Sequence, residues 1–241
     1  MAIKGILFDL YGTLIDIETD ETKNSIYRGI AHFLTYHGVY RHRQEVRDRY
    51  YRIMKEQKEL GGEKYPEIDV ESIWNIFLAE EAVKGDHERQ KLALVLAQLY
   101  RAISRKHLRL YPGVMSALDA LRPAYRMALV SDAQPCYALP EIKAVGLDGY
   151  FNPIVISARH GFRKPDKRLF EKALTRMKLT STEVICVGND MYRDIYGAAR
   201  LGIKSIFFDS NQGEKSHEDT TPDYIVRRFE DVIHGLEILQ D

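Results

Sequence analysis

Asp9 ends the apolar run Ile6-Leu7-Phe8 and opens the turn Leu10-Tyr11-Gly12-Thr13. A carboxylate released from a buried strand into a turn can attack phosphorus or carbon and form a covalent intermediate. Three further polar pieces follow in order after other apolar runs: Ser131-Asp132, Lys164 in FRKPD, and VGNDMYRD with Asn189, Asp190 and Asp194. A hydroxyl and a lysine can hold and neutralise an anionic group under attack. Asp190 and Asp194, one helical turn apart, can bind a hard cation such as Mg2+, directly or through water. Together these are the parts of phosphoryl transfer through an aspartyl intermediate, in which positioning and charge neutralisation supply most of the rate.

The elements that must position these groups are visible in the hydrophobic pattern. Residues 4–9, 126–132, 153–157, 183–190 and 204–209 are short, apolar and rich in β-branched side chains, which predicts strands. They are apolar throughout rather than alternating, which suits a parallel sheet covered on both faces. Helical spacing separates them, as in Leu169, Phe170, Ala173, Leu174 and Met177 after Pro165-Asp166, and in Val114, Leu118 and Leu121. The expected fold is therefore α/β, a doubly wound, Rossmann-like parallel sheet with ligands at the carboxyl ends of its strands. Residues 17–108 break the rhythm. They show no convincing strand, and their helical stripes, Val46, Tyr50, Ile53, Gln57 and Leu60, then Leu92, Val95, Leu96, Leu99, Tyr100 and Ile103, predict an all-α insert. The expected division is a core of 1–16 plus 109–241 and a helical cap domain of 17–108.

Composition narrows the partners. The 241 residues carry 35 Lys plus Arg against 35 Asp plus Glu, so no global field recruits nucleic acid or an anionic membrane, and a small-molecule site is expected. Cys136 and Cys186 fit no metal-ligand spacing and read as free thiols in a reducing compartment. With no targeting or membrane-spanning pattern, a cytoplasmic monomer or homodimer is expected.

The ordered motifs resemble the haloacid dehalogenase (HAD) superfamily, specifically the members with a helical cap inserted after the first strand. The resemblance runs over Asp9-Leu10-Tyr11-Gly12-Thr13, Val130-Ser131-Asp132, Lys164-Pro165-Asp166, and Gly188-Asn189-Asp190 with Asp194. It implies a Mg2+-dependent hydrolase, a phosphatase of a small phosphorylated metabolite. In it Asp9 is the nucleophile, Thr13 and Ser131 hold the transferred group, and Lys164 balances charge. By the same resemblance Asp9, the Tyr11 carbonyl and the last motif hold Mg2+. Counting from the family's Gly-Asp makes Asn189 the metal ligand; counting by charge makes it Asp190.

Three departures qualify that expectation. Family phosphatases usually carry an aspartate two residues after the nucleophile, to protonate the leaving oxygen and activate water, and here that position is Tyr11. A phenol with a pKa near 10 is a weak donor and a poor base at neutral pH. Such an enzyme should favour good leaving groups, aryl or acyl phosphates, over alkyl phosphates. Dehalogenases of the superfamily are similar in having Tyr here, since a halide leaves without a proton, so a metal-independent 2-haloacid dehalogenase using Asp9 is the alternative. A non-catalytic relative is the third. Asp132 replaces a more usual Asn, and a raised pKa there would let it stand in for the missing acid. The loop before Lys164 is basic, with Arg159, His160 and Arg163, and reads as a solvated surface. Arg28, His32, His37 and Arg41, Trp74 and the 15 tyrosines read as helix surface or packing residues.

Overall fold

The computed structural model describes residues 2–240. Strand β1 (Gly5–Phe8) leads through the Asp9 turn into β2 (Ile15–Thr19). Four helices follow: α1 (Asn24–Thr35), α2 (Arg43–Leu60), α3 (Val70–Glu80) and α4 (Asp86–Ser104). The chain returns along β3 (Arg105–Leu110), then α5 (Val114–Leu121), β4 (Arg126–Ser131), α6 (Pro135–Ala144), β5 (Ile154–Ile156) and α7 (Lys167–Met177). Next come β6 (Val184–Gly188), a π-helical turn (Met191–Tyr196) running into α8 (Gly197–Ala199), β7 (Lys204–Phe208), β8 (Tyr224–Val226) and α9 (Val232–Gln240).

The fold is α/β. Six strands form one parallel sheet in the order β5-β4-β1-β6-β7-β8. Every residue of β1 and of β6 is buried, and successive side chains of β1 enter opposite faces. Ile6 and Phe8 pack with Leu118, Val232 and Leu236, whereas Leu7 packs with Leu169, Phe170 and Ala173. Helices cover both faces, which is why these strands carry no polar alternation. Helix α7 begins where its cap requires, with the Asp166 carboxylate accepting the Arg168 N–H at 3.0 Å.

The expectation that residues 17–108 hold no strand is corrected. β2 and β3 form an antiparallel ribbon, Ile15 opposite Leu110 and Ile17 opposite Leu108, so 17–19 and 105–108 are extended. The apolar residues Ile15, Ile17, Leu108 and Leu110 pack on the sheet's core. On the other face Asp16 accepts from Arg109 Nε at 2.9 Å and lies 3.0 Å from His107 Nε2. The alternation is real, but each strand is short and half charged, so it gave no strand-like run. β8 was also not anticipated, being three residues beyond a polar loop.

Helices α1–α4 build a separate hydrophobic cluster around Ile30, Leu34, Tyr50, Ile53, Trp74, Phe77 and Leu96. The segment between α2 and α3 reaches the sheet side. Arg163 donates its N–H to the Tyr65 carbonyl at 3.0 Å, and Glu67 N–H donates to Gly161 O at 3.0 Å. Gln134 completes the seam, donating from Nε2 to Ile68 O at 2.8 Å and accepting from Val70 N at 3.1 Å. Among the described residues no helix is long and apolar enough to cross a membrane.

Candidate active site

The strand order decides which motifs meet. β1 lies between β4 and β6, with Phe8 paired to both Leu129 and Val187. Just beyond these pairs, the carboxyl ends of all three strands bring Asp9, Ser131-Asp132 and Asn189-Asp190 to the same edge. Lys164 arrives from the loop between β5 and α7. Its ammonium donates to Asp9 Oδ1 at 2.6 Å, to Asp194 Oδ1 at 2.5 Å and to the Val130 carbonyl at 3.0 Å, which uses its three protons. Burial pulls its pKa down, but Asp194, Asp9 and Asp132 reverse this, so the ammonium is held well above its ordinary value. Burial pushes the Asp194 carboxyl up; Lys164 offsets part of that, and the charge of Asp9 adds to it.

Thr13 orients the proposed nucleophile, its hydroxyl lying 2.9 Å from Asp9 Oδ2 and 3.0 Å from Asn189 Oδ1. The loop must pass close to Asn189: Gly12 has φ of +90°, and a Cβ there would fall 2.3 Å from Asn189 Nδ2. Gly188 is similarly confined, since a Cβ would fall 2.4 Å from Asp194 Cβ. Asp194 Oδ2 accepts the N–H groups of Asn189 and Asp190, both at 3.1 Å, which ties the loop to the turn that follows.

Asn189 and Asp190 divide their work. Asn189 faces Thr13, while Asp190 caps the π-helical turn, accepting from the N–H groups of Tyr192 and Arg193 at 3.1 and 2.8 Å and from Arg193 Nε at 3.0 Å. Both nevertheless line one cavity of about 180 Å³ with Asp9, Tyr11, Asp132, Lys164 and Asp194. The hydroxyl of Ser131, which precedes the cavity-lining Asp132, is buried with no hydrogen-bond partner.

The Tyr11 hydroxyl turns away from Asp9 and donates to Glu141 on α6. The guanidinium of Arg101, from α4, clamps the same carboxylate at 2.9 and 3.0 Å and stacks 5.3 Å from the Tyr11 ring. Burial and the Glu141 charge raise the Tyr11 pKa well above 10. Asp132 is disposed differently. Its Oδ1 accepts the Lys164 N–H at 2.8 Å, while Oδ2 is buried with no hydrogen-bond partner, 3.5 Å from Arg163 Nε. Burial raises its carboxyl pKa, with Lys164 and Arg163 opposing.

Residues 3–202 match the sequence model of the haloacid dehalogenase-like hydrolases. The chain belongs to that family. It is 28% identical to the glyceraldehyde 3-phosphate phosphatase of Pyrococcus abyssi over 207 residues, 86% of this chain and 81% of that one. The fold is similar to that of a 2-haloacid dehalogenase from Pseudomonas syringae, with a TM-score of 0.71 at 21% identity, covering 98% of this chain and 99% of the other. It is also similar to a HAD phosphatase from Thermococcus onnurineus, with a TM-score of 0.59 at 20% identity and 97% and 98% coverage.

In this haloacid dehalogenase-like hydrolase, seven of the nine residues singled out in the sequence line the cavity, while Thr13 reaches Asp9 by a hydrogen bond and Ser131 ends β4 next to Asp132 without lining it. Arg28, His32, His37 and Arg41 do not line the cavity, and Arg41 pairs with Glu81 at 3.0 Å. Four participants were missed. Arg193, Gln212 and Gly213 line the cavity, and Glu141 receives the Tyr11 hydroxyl. Arg193, inside the fourth motif, was within reach of sequence reading; nothing in the pattern marks Glu141.

Proposed function

We propose that this hydrolase cleaves phosphoric monoesters of a small metabolite through an aspartyl-phosphate on Asp9, with Mg2+ as cofactor. One observation carries the reading over dehalogenation. Four carboxyl groups, Asp9, Asp132, Asp190 and Asp194, line the cavity against two cations, Lys164 and Arg193; with Asp132 holding its proton, three carboxylates leave a formal excess of one negative charge. A dianionic phosphate enters such a site only with a further cation. Among the described residues no three His, Cys, Asp or Glu side chains are gathered as a metal site, and Lys164 holds one oxygen each of Asp9 and Asp194, but the hard oxygens of Asp9, Asp194 and Asn189 together with the Tyr11 carbonyl are of the kind Mg2+ prefers. Asp190 caps the following turn and lines the same cavity, so it is the alternative to Asn189 as a ligand. Bound there, Mg2+ would supply charge neutralisation for the phosphoryl oxygens.

The chain's own groups do the rest. Asp9, oriented by Thr13, forms a bond to phosphorus as the ester P–O bond breaks, and Lys164 compensates charge on the nucleophile. The unpartnered Ser131 hydroxyl is available to a phosphoryl oxygen. Asp132, whose carboxyl burial shifts upward, gives its proton to the leaving oxygen and then serves as base for the water that hydrolyses the aspartyl-phosphate. The phosphatase named among the relatives supports the reaction class.

The deciding experiment measures phosphate release from p-nitrophenyl phosphate and halide release from L-2-chloropropionate, each with Mg2+ and with EDTA, using Asp9→Asn as blank. Phosphate release that needs both Mg2+ and Asp9 is expected. Halide release in EDTA would instead establish the 2-haloacid dehalogenase, the reading favoured by Tyr11.

A further inference from the structure

A second, larger cavity opens from the first. It measures about 570 Å³, within the range of roughly 300–1,000 Å³ typical of ligand pockets, and shares Tyr11, Asp132 and Arg193 with the Asp9 cavity. Its walls come from both sides of the seam: Tyr50, Tyr51 and Met54 of α2, Tyr100 of α4, and Gln134 and Tyr137 at the start of α6.

The aromatic lining is ordered. Tyr50 stacks on Tyr100 with centroids 5.3 Å apart and an interplanar angle of 22°, and Tyr51 stands edge-on to Tyr50 at 5.7 Å. Arg101 lies between the rings of Tyr11 and Tyr137, 5.3 and 5.2 Å from their centroids. Tyr50 is enclosed by Tyr100 and Trp74 and backs the wall, so the rings open to a further aromatic ring are those of Tyr51, Tyr137 and Tyr11.

We infer that the substrate is an aryl phosphate, with its phosphoryl group beside Asp9 and its ring in the tyrosine-lined cleft between α2, α4 and α6. The inference rests on the phosphatase reading and narrows it. A second observation agrees: the Tyr11 hydroxyl is committed to Glu141, so protonation of the leaving oxygen falls to Asp132 alone. A phenol, with a pKa of about 10, departs with less protonation than an alcohol near water's value of about 15.7. An acyl phosphate would satisfy the leaving-group demand alone; only an aryl phosphate satisfies the cleft as well.

Calorimetric titration of the wild-type protein in Mg2+ with phenylphosphonate and with methylphosphonate separates the two requirements, because neither ligand turns over. Phenylphosphonate is expected to bind at least about tenfold more tightly, and the partly exposed positions Tyr51→Leu and Tyr137→Leu should each narrow that gap about threefold. Equal binding of the two phosphonates, with p-nitrophenyl phosphate still hydrolysed, would overturn the aryl assignment and leave the phosphatase reading standing. A gap unchanged in both variants would also overturn it. Absence of binding by either phosphonate, together with absence of phosphate release, would overturn both readings.

Discussion

The hydroxyl of Tyr11 donates to the carboxylate of Glu141, across the seam from the nucleophile two residues before it. A side chain so placed holds α6 and, through Arg101, α4; it does not deliver a proton to a leaving group at Asp9. Tyr11→Phe is therefore expected to keep p-nitrophenyl phosphate turnover within about threefold, while stability falls by about 1 kcal/mol for the lost hydrogen bond. Steady-state kinetics and urea unfolding check both. A loss of about a hundredfold in turnover would return Tyr11 to acid chemistry.

Glu141 balances two arginines, Arg101 and Arg105, and Arg101 keeps only 15% of its side chain exposed. Glu141→Ala leaves that guanidinium without a carboxylate in a nearly dry site. A cost of roughly 3 kcal/mol is expected, as for a broken buried pair, and urea unfolding measures it. Arg105, at 35% exposure, adds little.

Asp132→Asn separates activity from stability. The folded carboxyl has a raised pKa, so its protonated form is favoured in acid and its charged form is penalised as pH rises through the folded value. As the proton donor, it should give wild-type turnover a falling limb on that rise. The Asn variant should turn over about tenfold to a hundredfold more slowly, lack the limb, and unfold at a higher temperature at pH 7. Full activity with an unchanged pH profile would remove Asp132 from proton transfer.

Glu67, on the wall of the larger cavity, gives a stability test. Burial raises its carboxyl pKa, although the Ser157 hydroxyl lies 2.6 Å from Oε2. The raised folded value means that its favourable contribution is complete in acid and is lost as pH climbs through that value. Glu67→Gln retains an acceptor for Ser157 and cannot ionise. Its melting temperature should match wild type near pH 4 and exceed it increasingly toward pH 7, a trend read by calorimetry across that range.

The site was legible where chemistry coincides with strand ends. Asp9, Ser131 and Asn189 close apolar runs, and the alternation of strands with helices implies a sheet that gathers such ends, so convergence followed without knowledge of strand order. Lys164 was legible by order alone. The partnership of Tyr11, Arg101 and Glu141 was not, because it joins three elements far apart in sequence, and no periodicity distinguishes a buried Glu on α6 from a solvated one. The tyrosines fail for a related reason: helical spacing shows that Tyr50 and Tyr100 are turned inward, but not that a cavity lies beside the cluster they enter. The β2–β3 ribbon was hidden by its charges, which sit on the face that meets solvent and Asp16.

That ribbon has a consequence for how the molecule can change over evolutionary time. Asp20 donates its N–H to the Ser104 carbonyl at 2.8 Å, so the chain leaves for the helices and returns from them at points one hydrogen bond apart. A sheet that releases and recovers its chain at a single spot is indifferent to what is spliced between. The eighty or so residues in that interval can be lengthened, shortened or exchanged while the register of β1, β4 and β6 is untouched. Recognition of a new molecule can then evolve there, while the reacting groups stay where they are.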